Sequence, residues 1–417
     1  MNDISSLYEQ NNKFLLGANT KWLVELRKNL LTEILKEGTP NKKKEIWKYS
    51  NLNHINNIKY CKLEDSEKKL LKFAEEENNT VNVFDGKYFI PEKIRNNQKI
   101  SINKLSESIE HFKNYFFFNK NIFNNDFTTN LNTIFLTDGL SLSINENENM
   151  FIQINYKNFN DNITGYIRNI IKVSNNSKLT LVENFIGTES LNNDLNIFNN
   201  FWLEKNAQVD HIILQNYQYS SNIIYSSLIF SYENSKFNQL SFQSGCNSVK
   251  NSHTTNLMGL NSLANHHGVY FGRLNQYIDN KTSVIHHKEN CQSNQIYKGI
   301  LNNDSTGVYL SNTLVKPEAQ KTKGYQLSRG MLLSDKCKIN TKPQLEIYAD
   351  DVKCSHGSTV GAIDKNQLFY LQSRGINKKS AENILIKAFC MDVLKIIENK
   401  DLKEKLENLI DGWLLQN

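Results

Sequence analysis

From about Leu131 to Asp350 the chain is a succession of short β-branched and aromatic runs, among them TGYIRNIIKV, KLTLVENFI, QVDHIILQNY, NIIYSSLIFSY and KFNQLSFQS, separated by Asn, Ser, Gly and Asp. Runs of this kind bounded by turn-forming residues read as strands. Roughly ten to twelve follow one another with no amphipathic helix between them. That pattern excludes an alternating α/β fold and leaves an all-β sandwich, a barrel or a β-helix. Recurrence favours the last. His266-His267 and His286-His287 lie twenty residues apart, and coils of about that length would stack as a solenoid, each burying its face on the next.

Helical periodicity is confined to the two ends. Leu23, Leu26, Leu30 and Ile34 form one stripe, closed by Gly38 and Pro40, which supply a left-handed cap and a residue that cannot continue the helix. Trp47 and Tyr49 predict a short helix or turn packed by its aromatics. After Ile376 a second stripe runs through Leu385, Phe389, Val393 and Ile396, breaks at Asn399-Lys400, and resumes at Leu402, Leu406, Leu409, Ile410 and Trp413. Asp401 with Glu404 suggests a capping box for that last helix. The expected organisation is a helical and mixed region over 1–130, a β core over 131–360 and a helical domain over 361–417. The final helices would cover the open end of a solenoid, since terminal rungs need caps.

The 417 residues carry 49 basic and 43 acidic side chains, a formal charge of +6 spread along the chain. That excess is too diffuse to suggest a nucleic-acid surface. No apolar run is long enough to span a membrane, and the N-terminus lacks the basic start and apolar core of a secretory signal, so a cytoplasmic protein is expected. The six cysteines, at 61, 246, 291, 337, 354 and 390, form no C-x-x-C pair. This suits a reducing compartment and means that local sequence alone could not enclose a metal cluster. No G-x-x-x-x-G-K-[ST] loop is present, so no nucleotide site of its own is expected. The stripe of carboxylates that a β-helix carbohydrate enzyme needs is also missing.

The strongest chemical signal is Cys354-Ser355-His356. In an extended chain alternate side chains share a face, so a thiol and an imidazole would stand side by side. Asp350 and Asp351 could orient the imidazole as hydrogen-bond acceptors, or simply make the turn before the strand. His287 and Cys291, four residues apart in HHKENCQS, form a weaker candidate metal pair. Cys61, Cys246, Cys337 and Cys390 have no neighbouring ligand and read as packing residues, while Arg374 and Gly375 would end a helix.

Two extended segments resemble a known family. TKPQLEIYADDVKCSHGSTVGAIDKNQLFYLQSRGI, Thr341 to Ile376, and GTPNKKKEIWKYSNL, Gly38 to Leu52, are similar to the C-terminal and N-terminal signatures of the SufB/SufD family, scaffold subunits of Suf iron-sulfur cluster assembly, on its SufD side. His287 and Cys291 lie in a stretch similar to the family's H-x-x-x-C-x-S pattern. The resemblance implies a right-handed parallel β-helix flanked by helical regions, a non-catalytic scaffold, and a transient iron-sulfur cluster shared with a SufB-like paralogue. It also implies a SufC-like ABC-type ATPase docked on the C-terminal helices, with a homodimer as the state of the isolated chain. On this reading His356 is a possible iron ligand facing a partner cysteine, and Cys354 is a second donor or persulfide carrier. The alternative within the family, a SufB-type scaffold, fits less well: the chain is short, lacks an extra N-terminal cysteine element and carries C-S-H-G at the signature.

Overall fold

The computed structural model describes residues 4–43, 47–50, 79–116, 126–157, 164–187, 194–216 and 220–415. Its centre is a parallel β-solenoid of about seven turns. Each coil contributes one strand to each of two sheets. The first sheet holds β1 (Thr80–Phe84), β2 (Lys87–Phe89), β5 (Asn149–Lys157), β7 (Lys178–Ile186), β9 (Gln208–Asn216), β11 (Lys236–Ser244), β13 (Leu263–Gly272), β15 (Gln292–Leu301), β17 (Thr322–Leu332) and β19 (Val352–Ala362). The second holds β3 (Ile100–Lys104), β4 (Asp138–Ile144), β6 (Thr164–Val173), β8 (Asp194–Leu203), β10 (Asn222–Ser231), β12 (Ser248–Leu257), β14 (Tyr277–His286), β16 (Thr306–Val315) and β18 (Lys338–Ile347). Only the β1–β2 and β3–β4 pairings are antiparallel.

The coil is longer than the histidine pairs suggest. Leu263 lies beside Gln292 and Ser248 beside Tyr277, an advance of 29 residues. His266 and His286 belong to different sheets, so their twenty-residue spacing measures the path around a coil rather than along the stack.

The turns explain the wealth of asparagine. Asn147, Asn176, Asn206, Asn234, Asn261 and Asn290 all have φ between 56 and 61°, left-handed positions that Asn tolerates better than other side chains. Stacked coils bring these residues into line. Asn176 donates to Asn147, Asn206 to Asn176 and Asn261 to Asn234.

Inside the solenoid the early coils are filled by an apolar cluster running from Val81 to Val249. Outside, helices cover different flanks. Helix α1 (Ile4–Asn11) and helix α2 (Lys21–Glu37), with its buried stripe of Leu23, Leu26, Leu30 and Ile34, join α3 (Phe127–Ile134) against Tyr166, Ile170 and Ile224 of the second sheet. Gly38, at φ 73°, donates its N–H to the Ile34 carbonyl and ends α2 as its sequence requires. Each fully buried leucine of the stripe contributes about 1.5–3 kcal/mol.

At the other end α4 (Lys365–Ser373), α5 (Lys378–Met391) and α6 (Lys400–Leu415) follow β19. Helices α5 and α6 do not cover the open end. Ile386, Cys390, Leu406, Ile410 and Trp413 pack on Val182, Ile212, Leu240, Phe271 and Ile300, the outward face of the first sheet. Helix α6 is capped two residues earlier than expected, by Asn399 Oδ1 accepting from Leu402 N at 3.1 Å. Asp401 lies inside the helix and is not its cap.

Candidate functional site at the open end of the solenoid

With α5 and α6 on a flank, each sheet ends, among the described residues, in a strand with only one neighbour, β19 in the first and β18 in the second. Such edges present unpaired backbone groups to any chain that can extend them. Most of β19 is exposed, and so is α4, where Phe369 and Tyr370 are 72 and 57% exposed.

Register fixes which side chains of β19 face inward. Gly324, Gln326 and Ser328 are buried on β17, and they lie beside Cys354, His356 and Ser358. The thiol and imidazole therefore share the inward side, as the alternation of an extended strand requires. Their surroundings differ. Cys354 is half-buried against Val315, Ala319 and Ala349, and burial raises its thiol pKa against the opposing hydrogen bond from the Gly324 backbone. The absence of a side chain at Gly324 makes room for it: a Cβ there would sit 3.2 Å from Cys354 Sγ. His356 is exposed at the rim, and its imidazole makes no hydrogen bond among the described residues. Ser358 reaches across the lumen to the Thr341 hydroxyl on β18.

His356 is also the last rung of a buried polar column. His211, Gln239, His266, Gln295, Gln326 and His356 are successive register neighbours in the first sheet. The first five are at most 4% exposed, and each finds partners across the lumen. His266 is held between Gln239 Oε1 and Thr255 Oγ1, both at 2.8 Å, and burial depresses its pKa to about 3. Gln295 and Gln326 both donate to Thr313 Oγ1 at 2.8 Å, and Gln326 also donates to the Gln344 carbonyl. At the inner end the Glu183 carboxylate contacts His211 Nε2 at 2.6 Å and accepts from the Tyr156 and Tyr225 hydroxyls and from Asn199. Burial alone would raise the Glu183 carboxyl, but the hydrogen bonds from His211, Tyr156 and Tyr225 outweigh it and hold the group below its usual range. Sequence reading missed this column. Its signal, a polar residue every 27 to 31 positions from His211 to His356, becomes visible only once the coil length is known.

The other candidates are engaged by the protein itself. His287 Nε2 meets Asn256 Oδ1 at 3.1 Å, and desolvation, reinforced by Lys316 and Lys288, lowers its pKa to about 4. Cys291 is buried with Leu257, Ala264 and Val284, and its Sγ lies 3.2 Å from both the Gly259 carbonyl and Ser262 Oγ. Asp351 makes the turn into β19: its carbonyl accepts from Lys321 N and its N–H donates to Gln320 Oε1. Gly375, at φ 86°, follows the end of α4, and the Arg374 guanidinium lies over the Tyr370 ring. Cys246, Cys337 and Cys390 are buried, whereas Cys61 lies outside the described residues. Among the described residues no group of three or more His, Cys, Asp or Glu could by itself hold a metal ion, and no helix is long and apolar enough to cross a membrane.

The N-terminal landmark docks on the same body. Trp47 is buried beneath the Lys250 ammonium, 5.0 Å from the ring centre, and Ser50 Oγ donates to Asp279 Oδ2 at 2.7 Å. Lys44 to Ile46 and Asn51 to Leu52 of that landmark lie outside the described residues.

The described residues thus form a parallel β-solenoid covered by helices on its flanks, with Cys354 and His356 on the last strand of the first sheet. Residues 156–389 match the family model for the SUF system FeS cluster assembly SufBD core domain, and residues 1–154 match the SufBD protein N-terminal region. The chain belongs to the SufBD family of iron-sulfur cluster assembly proteins. It is 31% identical over 58% of its length to iron-sulfur cluster assembly protein SufD of Escherichia coli, spanning 57% of that protein. It is 27% identical over 98% of its length to an iron-sulfur cluster assembly SufBD family protein of Synechocystis, spanning 94% of it. The SufD of Bacillus subtilis is 30% identical over 38% of the chain and 36% of its own length.

Proposed function

We propose that this chain is a SufD-type scaffold that takes part in building a nascent iron-sulfur cluster at its open rim and catalyses no reaction of its own. The observation that carries this reading is the placement of Cys354 and His356 on the inward side of the last, unpartnered strand. A neutral imidazole and a thiolate can ligate the same cluster, as in Rieske-type centres. Two donors leave an iron site incomplete, so the remaining ligands come from a second chain across the rim. That partner is a SufB-like paralogue. The cluster is therefore cargo, held transiently between two subunits.

The same edge strands would pair two copies of this chain when the paralogue is absent. A SufC-like ABC-type ATPase would dock on the C-terminal helices, where the exposed Phe369 and Tyr370 offer an aromatic anchor, and would supply the ATP hydrolysis. The five described cysteines are buried or half-buried with no disulfide among them, which suits a reducing cytoplasm.

The decisive experiment is His356→Ala in cells that lack every other cluster assembly system, with complex assembly measured in parallel. The expected result is an intact complex that fails to support cluster delivery, with a weaker defect for Cys354→Ala. Full complementation by His356→Ala would assign the imidazole a purely structural place and overturn the proposed chemistry.

A further inference from the structure

The connection between α5 and α6 crosses the outer face of the first sheet and leaves a cavity of about 300 Å³ beneath it, within the range of small-molecule sites. Its ceiling is Ile396, Ile397, Glu398, Asn399 and Leu402. Its floor comes from β7, β9 and β11, and strand register sorts that floor into two rows. Thr180, Asp210 and Asn238 form a polar row, and Ile212 and Leu240 belong to an apolar row two residues further along, roughly 6.6 Å away. The ceiling repeats the division. Ile396, Ile397 and Leu402 join the same apolar cluster as Ile212 and Leu240, whereas Glu398 reaches the polar end, where Lys178 Nζ lies 2.9 Å from Asp210 Oδ2 and 3.5 Å from Glu398 Oε2. Packed elements rarely leave spaces larger than a water, and this one has the volume of about ten.

The polar end has acceptors to spare. Asp210 takes Lys178 on Oδ2 and Asn238 Nδ2 on Oδ1, one donor to each oxygen, and a carboxylate oxygen has room for two. The Thr180 hydroxyl makes no hydrogen bond among the described residues. Glu398 meets Lys178 only at 3.5 Å, well beyond the length of a close charge-assisted bond. A primary ammonium has three N–H donors and no acceptor, which matches these three groups. Charge agrees with donor count: two carboxylates face one ammonium in the lining, while His211 turns its imidazole away to Glu183. Lys236, in the same outward row as Lys178, and Lys395, Lys400 and Lys403 lie outside the lining, so a bound cation must gain more from direct contact with Asp210 and Glu398 than it loses to them. Water against the apolar side is poorly paired, and a ligand with an apolar body gains by displacing it.

We propose that this cavity binds a small primary amine that carries an apolar body. The proposal stands independently of the chemistry assigned to the rim. Calorimetric titration of the full chain with phenethylamine, phenethyl alcohol and hydrocinnamate, which share one ring and differ in the head group, tests it. Saturable binding of the amine, about tenfold tighter than that of the alcohol or the acid, is expected. Asp210→Asn and Glu398→Gln should each weaken amine binding about tenfold and Thr180→Val by a smaller factor, while Glu289→Gln, on the turn after β14, leaves it unchanged. The Glu398 side chain is 79% exposed, so its variant reports binding even if Asp210→Asn, which breaks the pair with Lys178, melts early. Absence of saturable amine binding, alcohol or acid binding as tight as that of the amine, or undiminished amine binding by Glu398→Gln would overturn the proposal, tight binding of the acid in favour of a site governed by Lys178.

Discussion

His266, His286 and His287 are kept neutral by burial, with pKa values depressed to about 3, 3 and 4. The unfolded chain protonates them near 6.5, so between that pH and about 4 it binds more protons than the folded chain, and stability falls as the pH falls. Each contributes a slope of up to about 1.4 kcal/mol per pH unit. Asp138 opposes them. Burial raises its carboxyl to about 6 from 3.8, so its folded form gains stability as the pH drops through that window. Three groups against one predict a net loss, seen as a urea midpoint that declines steadily from pH 7 to pH 4.5. A flat profile would mean that these imidazoles are hydrated in solution. At this scale the sequence was legible where two residues share one strand. The Cys-x-His spacing placed Cys354 and His356 on one side, whereas the rest of the polar column was hidden behind the doublets His266-His267 and His286-His287, whose spacing crosses between sheets.

At the scale of elements, the turns and the flanking helices make separate claims. Asn206 combines a left-handed backbone, φ 58°, with a donor bond to Asn176 at 2.8 Å. Asn206→Ala should cost about 1–2 kcal/mol in urea unfolding, and Asn206→Gly should recover most of it because glycine adopts that conformation freely. The abundance of asparagine was visible in the sequence, but its regular use became apparent only with the coil.

The helical ends were read correctly as elements because a stripe of leucines at three- and four-residue steps depends on nothing distant. Where they pack was not legible. Nothing in Ile386, Leu406 or Trp413 says that they cover the outward face of the first sheet rather than its end. Removing residues 377–417 would expose Ile212, Leu240 and Phe271, so that truncation is expected to lower the melting temperature and promote aggregation. The proposed docking of an ATPase is better tested with Phe369→Ser and Tyr370→Ser on exposed α4. These should abolish recovery of the ATPase while the melting temperature stays within a degree or two of the parent, an order-of-magnitude expectation for surface changes.

For the whole molecule, the decisive fact is that the two sheets finish together, in β18 and β19, and that no described helix closes them. Charges pointing inward at an edge are an established way to prevent strand pairing. Leu345→Asp with Val360→Asp, both on the lumen side of the rim, should therefore eliminate the proposed self-association in sedimentation experiments and the proposed pairing with a SufB-like paralogue, without altering monomer helicity. Pairing that survives both charges would place the subunit interface elsewhere. That the centre of the chain is a succession of strands was readable from the rhythm of its hydrophobic runs, while their parallel stacking was implied by the family resemblance more than by any spacing. That the stack is left open was not readable, because closure is decided by where distant helices settle.

The in-register stack also bears on how such a molecule can change over generations. Coils of nearly equal length repeat by translation, about 4.8 Å each, so duplication or loss of one whole coil moves the rim along the axis and leaves its side chains in the same mutual arrangement. Gain or loss of a single residue within a strand would instead turn every following side chain inside out. The architecture therefore allows the distance between the N-terminal helices and the rim to be revised in whole steps, while the rim's own chemistry is inherited intact.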